Sequence, residues 1–143
     1  MKSTNITTGM NTKGILSTLW VFVTLNYLYC DVVTLMDPVR SAGGPQFTQG
    51  FLLGAAVVVE IPIMMVLLSR ILKHRANRWA NIIAGILMTV VQSATLFVGV
   101  PTLYYVFFSA IEIACTAFII WYAWRWHNPE ALSERVAASA ISA

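Results

Sequence analysis

The chain has 143 residues, of which 58% are hydrophobic and 10% charged, with a formal net charge of +3. A soluble domain covers itself with about 25% charged residues, so this composition and a mean hydropathy of +0.73 exclude a soluble globular protein and point to an outer surface in lipid. The pI near 9.1 does not signal nucleic-acid binding, because the basic residues sit in short segments between apolar runs and form no broad basic face.

Residues 1–13 read as a disordered tail. A helix needs roughly 20 apolar residues to cross the hydrocarbon core, and four stretches qualify, at about 14–36, 50–72, 79–100 and 102–126. The first is too long for the ~7 to 15 apolar residues of a signal peptide and has no Ala-x-Ala-like site after it, so it reads as a permanent span. "DPVRSAGGPQFTQ" follows it, a loop rich in Pro, Gly and charge, in which residues 41–45 suit a flap over one mouth of the bundle. "KHRANR" separates the second and third spans, and "GVPT" the third and fourth. Short connections make neighbouring helices antiparallel, so the expected fold is an all-α, integral membrane four-helix bundle running up-down-up-down. The remaining residues, 127–143, form a tail in which Asn128, Pro129 and Glu130 suit a helix start.

Sidedness follows from the basic residues. With both termini cytoplasmic, Lys2, Lys13, Arg70, Lys73, Arg75, Arg78, Arg125 and Arg135 lie inside and only Arg40 outside, as the positive-inside rule requires. The chain is therefore expected in a bacterial inner membrane, with a basic collar suited to anionic lipid heads. Trp79, Trp121, Tyr122, Trp124 and Trp126 fall at the same face, with Tyr104 and Tyr105 at the other, as interfacial anchors do.

Cys30 and Cys115 differ in depth by roughly 10 Å at 1.5 Å per residue. A disulfide needs Cα atoms within about 7 Å, so they read as packing residues. His74 and His127 have no ligand-spaced companions. Nucleotide loops, H-E-x-x-H and G-x-S-x-G are all missing from the sequence. No catalytic residue, metal or cofactor is expected.

The polar residues within the spans do form a pattern. At helical spacing, Thr24, Tyr27, Asp31 and Thr34 align on the first span, Thr89, Gln92 and Ser93 on the third, and Tyr105, Ser109, Glu112 and Thr116 on the fourth. The second span contributes Glu60, two residues before Pro62, a position that favours a helix kink. Lipid penalises polar stripes that face it, so all four are expected to meet in one interior. By residue count Glu60, Glu112 and Gln92 share nearly one depth, with Asp31 nearer the outer mouth. Apart from the span ends, no basic side chain stands inside a span to neutralise these acids, so each holds either a proton or a cation. Glu60 has a bland reading as a proton-bearing staple of a kinked helix and a functional one as an intramembrane acid, which is the default for such residues. Gly50-x-x-x-Gly54 and Ala110-x-x-x-Ala114 are small-residue seams that suit internal helix contacts or a homodimer interface.

"LWVFVTLNYLYCDVVTLMDP", "FLLGAAVVVEIPIMMVLLSRILKHRANRWANIIAGI" and "PTLYYVFFSAIEIACTAFIIWYAW" resemble a family of small bacterial four-span membrane proteins of unknown function. More weakly, the acid near the outer end of the first span and the acid-plus-proline second span resemble the sigma-2 receptor and emopamil-binding protein group. That likeness implies a bundle enclosing a lipophilic amine, with Asp31 and Glu60 facing its cation. The group's sterol-isomerase histidine has no counterpart within these spans.

The leading expectation is an acidic intramembrane pocket that binds a lipophilic, cationic small molecule for sensing or proton-coupled export. Two alternatives stand beside it. One is an oligomeric proton-coupled exporter, and the other a non-catalytic subunit or scaffold of a membrane complex.

Overall fold

Hydrocarbon offers the backbone no hydrogen-bond partners, so a membrane chain must satisfy its amides within helices or a closed barrel. A computed structural model describes residues 3–38, 48–97, 101–126 and 139, with side chains from Asn11 onward. The described residues form four helices and no strand: α1 (Ser3–Met36), α2 (Gln49–Ile71), α3 (His74–Leu96) and α4 (Leu103–Arg125). Each contains a segment long and apolar enough to cross a membrane, so the chain is a multi-pass membrane protein. The flap at 41–45, His127 and the helix start at Asn128 lie outside the described residues.

Three boundaries differ from the expected ones, one of them the end of α3, which falls at Leu96 rather than near 100. α1 begins at Ser3, so the segment taken as a disordered tail is helical from there. No proline interrupts it, Thr12 is buried, and the Lys13 ammonium donates to the Leu72 carbonyl at 2.7 Å, which ties this part of α1 to the end of α2. α3 begins at His74, so most of "KHRANR" is helix and the connection shrinks to Leu72 and Lys73. Nothing in "HRANRWANII" breaks a helix, and charge alone does not end one. At the other end of α2, the Thr48 hydroxyl caps the helix by accepting from the Phe51 amide at 3.3 Å. α2 then runs through Pro62 as one helix.

The hydrogen bonds fix the pairing of helices. Ser17 of α1 reaches the Val66 carbonyl of α2, Thr89 of α3 meets Thr116 of α4, and Asn26 of α1 donates to the Phe108 carbonyl of α4. Together with Lys13 and Leu72, Gln92 and Ser109, and Tyr104 and Asp37, these contacts run in opposite senses along each pair, so successive helices are antiparallel. The core they enclose is built on Leu16, Trp20, Val23, Met65, Ile82, Met88 and Ile119. α3 and α4 approach so closely at Gly85 that a Cβ there would stand 2.7 Å from Ile120 Cγ1. Phe22, Leu28, Val57, Ile83, Val90, Phe107 and Phe118 point outward, as lipid-facing side chains do.

Candidate functional site

The interior holds two polar clusters at different levels. The upper one contains Glu112. On α4, Ser109, Glu112 and Thr116 lie one turn apart on the buried face, and Glu112 is only 1% exposed. From α3, Gln92 donates to Ser109 Oγ at 2.7 Å, and the Thr89 and Thr116 hydroxyl oxygens are 2.8 Å apart. Thr116 also donates back to the Glu112 carbonyl at 2.9 Å. α1 contributes Tyr27, within electrostatic range of Glu112 and Tyr105, and Asp31, within electrostatic range of Glu112.

The amides and hydroxyls that α3 and α4 bring to this cluster have partners, whereas both Glu112 carboxylate oxygens and the Tyr27 hydroxyl have none among the described residues. Buried polar groups are normally hydrogen-bonded, and the few exceptions mark functional groups or unseen partners. The neighbouring Gln92 donates to Ser109 rather than to the acid. Such an acid can hold a proton, or it can meet a cation brought from outside the chain.

The other expected residues divide. Glu60 is not in this interior. It is exposed on α2, on the side opposite the buried Pro62, Met65 and Ser69. Residue count along a helix fixes depth, whereas the face a side chain takes depends on rotation about the helix axis. Asp31 is also exposed, on α1. Thr24 and Thr34 satisfy their hydroxyls on their own helix, at the carbonyls of Trp20 and Cys30, and Ser93 does the same at Thr89. A Thr or Ser bonded to the carbonyl four residues back has little need of an interior, so a polar stripe of such residues need not converge on anything. Cys30 and Cys115 form no disulfide. Among the described residues no group of three His, Cys, Asp or Glu side chains could hold a metal ion.

The lower cluster went unread in the sequence. Asn81 is fully buried and accepts from Trp20 Nε1 at 2.7 Å and from Ser69 Oγ at 3.2 Å. It donates to the Asn77 carbonyl at 2.8 Å and to Asn77 Oδ1 at 2.6 Å. Asn77 in turn donates to the Ser69 carbonyl at 2.5 Å. Beside them Ser17 donates to the Val66 carbonyl at 2.9 Å and accepts from Arg70 Nε at 3.0 Å. These groups bracket α1, α2 and α3 together with their bonds matched, and the bracket offers nothing to a ligand. A signal for it existed in Asn77 and Asn81, four residues apart at the start of an amphipathic helix, but both fell at or beside a supposed loop.

A four-helix membrane bundle with a matched polar bracket at one level and an unmatched acid at another is the class of protein that the fold and site define. By sequence the chain belongs to a family of unknown function, DUF6326, which it matches over residues 6–133. No curated protein and no solved structure matches it. The comparisons give no support to the likeness to the sigma-2 receptor and emopamil-binding protein group.

Proposed function

We propose that the protein binds a lipophilic cation within its bundle, with Glu112 as the counter-ion and Tyr27 beside it. The observation that carries this reading is the burial of the Glu112 carboxyl without a partner for either oxygen among the described residues. Leaving a buried polar group unmatched costs about 1–3 kcal/mol, and more for a charge. A chain that needed only stability would place an apolar side chain there. A cationic amine supplies the missing donors and the missing charge, and its apolar body suits a ligand that partitions from lipid. Asp31, exposed on α1, offers a first acidic contact on the way to Glu112. The basic collar, turned to the cytoplasm of a bacterial inner membrane, orients the bundle so that this entrance faces outward. The same chemistry serves sensing or proton-coupled export.

The test is thermal unfolding of the detergent-purified protein with lipophilic primary, tertiary and quaternary amines. Mass action stabilises the protein by about 2.7 kcal/mol at a ligand concentration one hundred times Kd. The gain is expected in wild type and in Glu60→Gln and is expected to vanish in Glu112→Gln. Amines without effect on wild type, or an equal gain in Glu112→Gln, would sink the proposal.

A further inference from the structure

Glu60 is the central residue of the 23 in α2, so in a spanning helix it stands near the bilayer midplane. It is exposed and has no hydrogen bond or ion pair among the described residues. An acid at that depth belongs inside a bundle or against a partner, because lipid penalises it heavily. The four helices of one chain do not cover it, so its cover lies outside that bundle.

The residues around it form a seam. Leu53, Ala56, Glu60, Ile63 and Leu67 are all exposed, and they recur at alternating intervals of three and four. This is the spacing that keeps one face of a helix against a partner helix over several turns. The seam lies opposite the buried Pro62, Met65 and Ser69. It is distinct from Gly50 and Gly54, which lie toward the other side of α2 and would meet nothing within 4 Å if given a Cβ.

We propose that this seam is the interface of a parallel, two-fold dimer of the chain, in which Leu53, Ala56, Glu60, Ile63 and Leu67 face their counterparts and the two Glu60 carboxyls hydrogen-bond to each other. Three observations favour a second copy over another occupant. Two copies inserted in the same sense carry Glu60 at the same depth, so a two-fold axis along the membrane normal brings the acids together without adjustment. A carboxyl that holds its proton both donates and accepts, and is therefore self-complementary. Ala56 is small and one turn away from Glu60, which lets the backbones approach as helix pairs in membranes require. Away from the helix ends, the outward faces of the described residues carry no basic side chain; α3, for example, presents Ile83, Ile86, Leu87 and Val90.

The dimer and the cation site use different acids, so either can fail alone. The test uses the full chain in lipid nanodiscs, in a background with Cys30→Ala and Cys115→Ala. Oxidation is expected to cross-link Ala56→Cys and Ile63→Cys into dimers, and to leave Leu87→Cys, exposed on α3, monomeric. The mass of the unmodified protein by light scattering is expected to be that of two chains. Glu60→Gln, which can still donate and accept, should keep that mass. Glu60→Ala should weaken association roughly three- to thirtyfold, the range for one interhelical hydrogen bond in a membrane, with no loss of fold, since the Glu60 side chain is exposed. A particle of one chain, cross-linking at Leu87→Cys equal to that at Ala56→Cys, or unchanged association of Glu60→Ala would overturn the proposal. Cross-linking of α2 to a foreign protein and never to itself would do so too. If the cysteine-free background does not fold, the masses of wild type, Glu60→Gln and Glu60→Ala decide alone.

Discussion

Replacing Asn81 by Leu removes the centre of the bracket between α1, α2 and α3. The side chain makes four hydrogen bonds, and two of them, from Trp20 Nε1 at 2.7 Å and Ser69 Oγ at 3.2 Å, cross to other helices. Interhelical hydrogen bonds in membranes average about 0.6 kcal/mol and reach about 1.7 kcal/mol, so this pair contributes about 1 to 3 kcal/mol. The substitution also leaves the Trp20 indole N–H buried without an acceptor, which adds part of the ~1 to 3 kcal/mol that an orphaned donor costs. A total loss of about 2 to 4 kcal/mol is expected in equilibrium unfolding of the detergent-solubilised protein by a denaturing detergent. The decisive form is a double-mutant cycle with Trp20→Phe, because a coupling of about 0.6 to 1.7 kcal/mol isolates the shared bond from the cavity that Phe leaves. A loss below about 0.5 kcal/mol together with strictly additive singles would show that the bracket does not hold these helices together.

Glu112→Met replaces an unmatched acid by an apolar side chain of similar length, and is expected to raise stability by up to ~1 to 3 kcal/mol while abolishing stabilisation by amines. A fall in stability on unfolding would show that the acid has a structural partner. Gly85→Ala forces a Cβ to 2.7 Å from Ile120 Cγ1 and should cost about 1 to 3 kcal/mol through overpacking. Combined with Ile120→Ala it should cost less than the sum of the two singles, and simple additivity would refute the contact. The Arg125 guanidinium lies 5.1 Å from the Trp121 ring centre and that of Arg78 5.7 Å from that of Trp124, so both cations are set beside interfacial rings. Arg78→Gln and Arg125→Gln should each weaken retention of anionic lipid in native mass spectra by about 1 kcal/mol, and equal retention of zwitterionic lipid by wild type would count against a headgroup site. Reporter fusions at residues 1 and 143 should both be active only in the cytoplasm, and opposite or mixed results would reverse the sidedness drawn from the basic residues.

The helices were legible because hydrocarbon imposes a length and a composition that a sequence displays directly. All four spans and their order can be read that way, and the far ends of α2 and α4 fall within a residue of where the apolar runs end. The start of α3 was not, because "KHRANR" has loop-like charge but no residue that ends a helix. Within the site, Glu112, Gln92, Ser109, Thr89 and Thr116 could be gathered from spacing, since α3 and α4 are antiparallel neighbours and their polar residues lie on the facing sides. Glu60 could not be placed, since depth follows from counting residues but direction depends on which face of α2 meets α1. That face is set by Pro62, Met65 and Ser69, an ordinary-looking set beside a conspicuous acid. The hydroxyls of Thr24, Thr34 and Ser93 looked like part of the same polar interior until their bonds to their own helices accounted for them.

The two mid-span acids therefore pose different physical problems. Glu112 is enclosed by its own chain, and neither of its oxygens has a partner among the described residues, so a proton or a cation is what completes it. Glu60 is open to whatever lies beside α2, and the seam around it is long enough to hold a helix. A small ligand could neutralise Glu60 but would not extend along Leu53, Ala56, Ile63 and Leu67. A second helix could cover that register but could not reach Glu112 through α1 and α4. Substitution at Glu112 should therefore change what the bundle binds without changing how many chains it contains, and substitution at Glu60 should do the reverse. A variant at either acid that altered both properties would mean that the acids act on one another across the bundle, and that the cation site is complete only in the dimer.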